Sequence, residues 1–128
     1  MSLTEHQEQV RFSSWLTTKG LKHSAIPTGM IIGKDRGASM AKMKWLEAEG
    51  FSKGLPDMLI IAPYKNKEVV VFIEMKRADL KPKRNGKGGV SDAQREWLEA
   101  LDRCSDVGAY VAYGCEDAKN IINKIIQA

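Results

Sequence analysis

The chain has 128 residues, 43% of them hydrophobic, a size that fits one domain with a core that needs neither disulfides nor a structural metal. Its apolar runs are far too short to cross a bilayer, and its polar start, Met1–Gln9, lacks the apolar core of a secretion signal, so neither a membrane protein nor a secreted one is expected. A net charge of +4 and a pI near 9.1 admit a polyanionic partner; Cys104 and Cys115, outside any C-x-x-C spacing, fit a reducing cytoplasm and no zinc site, and His6 and His23 are isolated.

Thr4 followed by Gln7 has the spacing of a capping box, which predicts a helix from there to about Lys19, stopped by Gly20 and with Val10, Phe12, Trp15 and Leu16 as its apolar surface. Lys22–Ile26 reads as a short strand ended by Pro27-Thr28-Gly29, and Ile31–Ser39 as a loop rich in glycine and charge. Met40–Glu49 reads as a short helix closed by Gly50. Met58–Ala62 and Val69–Ile73 are two apolar runs joined by Pro63–Lys67, which suits a hairpin. Leu80–Val90, with Pro82, Gly86, Gly88 and Gly89, reads as a loop. Ser91 and Gln94 make a second capping box, and the helix behind it is expected to bury Trp97, Leu98 and Leu101. Ala109–Tyr113 is a last strand and Glu116–Gln127 a last helix, with Ala118, Ile121, Ile122 and Ile125 on one face. The order α-β-α-β-β-α-β-α predicts an α/β fold, a mixed sheet flanked by helices. Trp15, Trp45 and Trp97 sit at helix positions that suit core packing rather than base stacking.

The charges at the strand ends carry the functional signal. Side chains alternate along a strand, so Val70, Phe72, Glu74 and Lys76 share one face and Glu74 and Lys76 leave the same end. A hairpin returns the first strand antiparallel, which brings Asp57, just before Met58, to that same end. Two carboxylates placed together repel and are costly to bury. A frayed sheet edge with Lys76 paired in water would explain them without function. A divalent-metal site would also explain them: Mg²⁺ takes hard oxygen ligands and commonly one or two carboxylates beside substrate phosphate, and a lysine adds positive charge where phosphoryl charge develops. Directly afterwards, from Lys76 to Lys87, six basic residues (Lys76, Arg77, Lys81, Lys83, Arg84, Lys87) face one acid, Asp79, the footprint expected of a phosphate-binding segment.

"GLPDM", sixteen further residues from Asp57 to Glu74, and then "EMK" resemble the motif of the PD-(D/E)XK nucleases. More closely, the chain is similar to a stand-alone VRR-NUC domain, the virus-type replication-repair nuclease. The similarity includes "TEHQEQ", "EGFSKGLPDM", "VFIEMKR", "SDAQREWLEAL" and "GAYVAYGCEDAKNII", close to the full length, so one domain over 1–128 is expected. This resemblance implies a restriction-endonuclease-like core with Asp57, Glu74 and the Met75 carbonyl as ligands of Mg²⁺ or Mn²⁺. It makes Lys76 the catalytic lysine and Gln94 a further site residue. An acid on the first helix would complete the site. Glu5 and Glu8 both lie near the Phe12–Trp15–Leu16 direction, and helical geometry leaves the choice open. The family's pattern of a glutamate after the cap and a glutamine four residues on, Gln9 here, favours Glu5. A charge favourable to the helix N-terminus accounts for either one without function, and a capping box accounts for Gln94 equally well.

Lys53, Lys34 and Arg36, with Lys42, Lys44 and the basic segment after Lys76, are the expected phosphate contacts; a solvated surface accounts for any single one of them, and a solvated loop for the segment, without function. The chain contains no base-reading module, which argues for recognition of DNA shape. One active site cuts one strand, so cutting paired strands calls for a symmetric dimer. The resemblance therefore implies a homodimeric Holliday-junction resolvase that leaves 5′-phosphate and 3′-hydroxyl ends. It would need no small-molecule cofactor and would work in the cytoplasm of a bacterial or phage-infected cell. A flap or single-strand nuclease or nickase is one alternative; a basic nucleic-acid-binding module with a structural acid cluster is another.

Overall fold

The computed structural model describes residues 2–27, 36–81 and 88–128, with backbone alone over 36–39. Helix α1, Glu5–Thr18, begins at the expected capping box: Thr4 Oγ1 accepts from Gln7 N–H at 3.1 Å, and the Gln7 side chain accepts from Thr4 N–H at 2.9 Å. Strand β1, His23–Ala25, follows, then α2, Arg36–Ala48, and the hairpin strands β2, Met58–Tyr64, and β3, Lys67–Lys76. A 3-10 turn, Ala78–Leu80, leads towards α3, Asp92–Asp102, then β4, Val107–Tyr113, and α4, Cys115–Ile126.

The four strands form one sheet in chain order, antiparallel from β1 through β3 and parallel between β3 and β4. The parallel step is the one that needs a crossover, and α3 supplies it. The β2–β3 register pairs Met58 with Ile73 and Ala62 with Val69. Pro63 falls where β1 no longer pairs, so its missing N–H costs the sheet nothing. The hairpin loop is tighter than the expected Pro63–Lys67, because β2 and β3 extend to Tyr64 and Lys67.

Alternation divides the sheet. Met58, Ile60 and Ala62 of β2 and Val71, Ile73 and Met75 of β3 face α1 and α4 and form the core with Phe12, Leu16, Ala112, Ala118 and Ile122. The intervening residues, Asp57, Glu74 and Lys76 among them, project from the opposite face. Truncating Phe12 to alanine removes a fully buried ring from this core and should cost about 3–5 kcal/mol.

Three expectations need correction. Positions 36–39, expected as loop, are helical, and α2 starts at Arg36; the rest of that expected loop, through 35, lies outside the described residues. Trp45 is not a core residue: it is 69% exposed, because α2 half-buries Met43 and Leu46 and turns Trp45 away from them. Trp97, Leu98 and Leu101 are half-buried rather than buried, since α3 lies over β4, at the edge of the sheet.

Candidate active site

The register builds the site. Met58 pairs with Ile73, so Asp57, one residue earlier, stands opposite Glu74 where β2 ends and β3 continues. β3 therefore runs past β2, and the Met75 N–H, which has no strand partner on that side, donates to Asp57 Oδ2 at 2.8 Å. The N–H and C=O of one residue leave a strand on the same side, so the Met75 carbonyl is also turned towards Asp57. The Lys76 carbonyl faces the other way and accepts from Gly114 N–H at 2.9 Å.

Glu74 and Lys76 are 4% and 7% exposed, unusually buried for charged residues. Lys76 Nζ lies 3.6 Å from Glu74 Oε2. Gln94, on the first turn of α3, joins the two: its Nε2 donates to Glu74 Oε2 at 3.1 Å and its Oε1 accepts from Lys76 Nζ at 3.3 Å. The same Oε1 accepts from Ser91 N–H at 2.9 Å, while Ser91 Oγ accepts from Gln94 N–H at 3.1 Å. Capping and site contact are thus the work of one side chain, which the sequence could present only as alternatives.

The electrostatics are those of a crowded acid cluster. Burial pushes the Glu74 carboxyl up to about 8, and neighbouring Asp57 adds to the effect through its charge and a hydrogen bond. Lys76 opposes the shift, while Glu5 contributes to it, so Glu5 is near enough for its charge to reach Glu74. Glu5 and Gln9 line an open cleft of about 610 Å³ together with Asp57. Glu8 has a different place. It is buried, and its Oε2 accepts from Cys115 N–H at 3.2 Å, serving the N-terminus of α4, where Gly114 supplies no side-chain cap of its own. The geometry thus separates the two acids that helical periodicity could not: Glu5 faces the cleft and Glu8 ties α1 to α4.

Lys53, Arg77 and Lys81 are exposed, and Arg77 Nε pairs with Asp79 at 3.1 Å. Lys34, Lys83, Arg84 and Lys87 lie outside the described residues, as does the side chain of Arg36. Among the described residues no three His, Cys, Asp or Glu side chains form a ready-made metal cage. The donor set still fits a hard divalent cation that retains most of its waters: two adjacent carboxylates and a carbonyl converge at the strand end, and burial together with the Asp57 charge raises the Glu74 pKa, a cost that a bound cation would offset. Two features of the site have little local signature in the sequence, the packing of Gly54 against α3 and the Glu8–Cys115 link. The only signal for the second was a glycine in place of a capping side chain before α4.

The model of the VRR-NUC domain matches residues 3–116, from the start of α1 to the first residues of α4. The chain belongs to the VRR-NUC family. VRR-NUC is a nuclease family, so nuclease activity and a DNA substrate follow as the activity class of this VRR-NUC domain. A solved structure described as a VRR_NUC domain protein is similar in fold, with a TM-score of 0.64 and 22% identity, covering 99% of this chain and 91% of that one. No curated protein matches the chain. Among the described residues, no helix of this VRR-NUC domain is long and apolar enough to cross a membrane.

Proposed function

We propose that this VRR-NUC domain is a divalent-metal-dependent, structure-specific DNA endonuclease that acts as a homodimer on four-way junctions. The observation that carries the reading is the convergence of Asp57, Glu74, Lys76 and Gln94 at the point where β3 outruns β2.

Mg²⁺ or Mn²⁺, held by Asp57, Glu74 and the Met75 carbonyl with Glu5 nearby, would supply Lewis acidity at a phosphodiester and make water a better nucleophile. The chain's own residues do the rest. Met75 N–H fixes one oxygen of Asp57 and so orients its carboxylate. Gln94 anchors the Lys76 ammonium beside Glu74. There Lys76 stabilises the negative charge that develops as phosphate is attacked, and the burial that makes a fixed ammonium costly also makes it effective. Gln9 and Glu5 form the wall of the cleft that leads to Asp57. Lys42, Lys44, Lys53, Arg77 and Lys81 are the exposed described positions among the expected phosphate contacts that would meet the sugar-phosphate backbone, with Lys34, Arg36, Lys83, Arg84 and Lys87 as further candidates from sequence.

The test is cleavage of labelled four-way junction, flap, single-stranded and linear duplex DNA by wild type and Glu74→Ala, with Mg²⁺, Mn²⁺ or EDTA. The expected result is paired, symmetric cuts near the junction centre, lost with EDTA and in the variant. Equal cutting of every substrate would remove the junction and leave a general nuclease. Tight binding without cleavage in either metal would leave a binding module. Sedimentation of the active protein as a monomer would remove the homodimer.

A further inference from the structure

One side chain, Gln94, links α3 to the acid-lysine cluster, and its contacts have little slack. They measure 3.1 and 3.3 Å, while a separation near 3.6 Å no longer counts as a hydrogen bond. The height of the first turn of α3 above β3 therefore matters to the reaction. α3 itself rests on β4, which β3 separates from β2 and Asp57.

The segment between α2 and β2 closes that gap. At Gly54 the backbone has φ +94°, and a Cβ placed there would stand 2.5 Å from the Ala93 carbonyl carbon, 2.6 Å from its oxygen and 2.8 Å from Gln94 N. The Gly54 backbone is thus pressed against the very peptide that carries Gln94. A second tie lies further along the helix, where Trp97 Nε1 donates to Ser52 Oγ at 3.3 Å. Pro56, fully buried, then delivers the chain to Asp57. The same few residues that place the first carboxylate also set the position of α3.

We infer that Gly54 is a positioning residue: it lets the approach to Asp57 close onto the Ala93–Gln94 peptide, which sets Gln94 and, through it, Lys76 and Glu74. This rests on the nuclease reading above. A methyl group at position 54 would need about 1 Å more room to reach ordinary contact, and its positive φ is one that L side chains rarely adopt. A shift of that size in the first turn of α3 takes both Gln94 contacts beyond hydrogen-bonding range.

The test is a double-mutant cycle on wild type, Gly54→Ala, Gln94→Ala and the double variant, with Asp57→Asn as control. Three quantities are read for each: single-turnover cleavage of a labelled four-way junction in Mg²⁺, junction affinity in EDTA, and thermal unfolding. Gly54→Ala should slow cleavage about 10- to 100-fold while affinity stays within about 2-fold, since every basic side chain, the neighbouring exposed Lys53 included, is kept. In the Gln94→Ala background the same substitution should cost about 3-fold or less, because both changes break one link. Equal losses in both backgrounds, a loss of affinity that matches the loss of rate, or an unchanged rate would each overturn the positioning role. Should Gly54→Ala fail to unfold cooperatively, the cycle is run with Ser52→Ala, which loosens the same packing without backbone strain. A loss absorbed by Gln94→Ala then supports the role, and an additive loss or none overturns it. Cleavage by Asp57→Asn at the wild-type rate would sink the proposed metal site and this role with it, whereas an inactive Asp57→Asn with an additive cycle sinks the positioning role alone.

Discussion

Glu74→Gln should make the metal-free protein more stable while abolishing its cleavage. The Glu74 carboxyl is pushed up to about 8 from the ordinary 4.5, first by burial and then by Asp57. A carboxyl whose pKa is raised on folding stays protonated in the native state at pH values where the unfolded chain has already lost the proton. Its contribution to stability is therefore full below pH 4.5, declines by about 1.4 kcal/mol per pH unit above that, and levels off past pH 8. At pH 7 the accumulated cost is on the order of 3 kcal/mol, an upper figure because the cluster can relax or admit water. Glutamine cannot ionise. Its amide oxygen can still accept from Gln94, and its amide nitrogen can take the place of the proton shared with Asp57. In EDTA, Glu74→Gln should therefore unfold about 5–10 °C above wild type at pH 7.5, match it near pH 4.5, and lose the wild type's decline between those values. Adding Mn²⁺ should raise the melting temperature of wild type more than that of the variant, by preferential binding to the native state. Thermal melts read by circular dichroism across pH 4–9 provide the assay. A variant less stable than wild type at pH 7.5 in EDTA, or one with the same decline, would refute the picture of a carboxylate held at a cost for function.

The two first-helix acids should separate cleanly. Glu5→Gln should reduce cleavage with little change in melting temperature, and Glu8→Gln should do the reverse, costing about 1–2 kcal/mol by weakening the hydrogen bond to Cys115 N–H at the start of α4; chemical denaturation with paired rate measurements checks both. Lys76→Met should retain the fold and lower the single-turnover rate about 100-fold or more, because the buried stem is preserved and the ammonium is lost. A fold that collapses in this variant would instead assign the lysine to structure. Lys53→Ala and Lys81→Ala should each weaken DNA binding across substrates and lower the slope of log affinity against log salt by about one; fluorescence anisotropy titrations at several salt concentrations measure it.

Much of this fold was legible because its signals are local. Both capping boxes, at Thr4–Gln7 and Ser91–Gln94, lie within one helical turn and form as the sequence suggests. The alternation of β3 placed Glu74 and Lys76 on one face, and the hairpin placed Asp57 opposite, so the centre of the site could be read from strand period and turn alone. What the sequence left open depends on contacts between distant segments. Glu5 and Glu8 share a helical direction, and only the approach of α4 engages Glu8, 107 residues away in the chain. Gln94 serves the cap and the site at once because α3 crosses near the end of β3. Trp45 was misjudged for a related reason: apolar spacing shows which side chains could pack, and whether anything packs against them is a property of the tertiary structure.

The central claim is that Asp57 belongs to a divalent-metal centre for phosphodiester hydrolysis. Asp57→Asn keeps size and shape and removes a charge, so cleavage and DNA binding by this variant, measured side by side in Mg²⁺ on a four-way junction, test the claim most directly. Cleavage should disappear while binding is kept or tightened, since a negative charge facing phosphate has gone. Cleavage at the wild-type rate, or loss of binding together with loss of the fold, would contradict it.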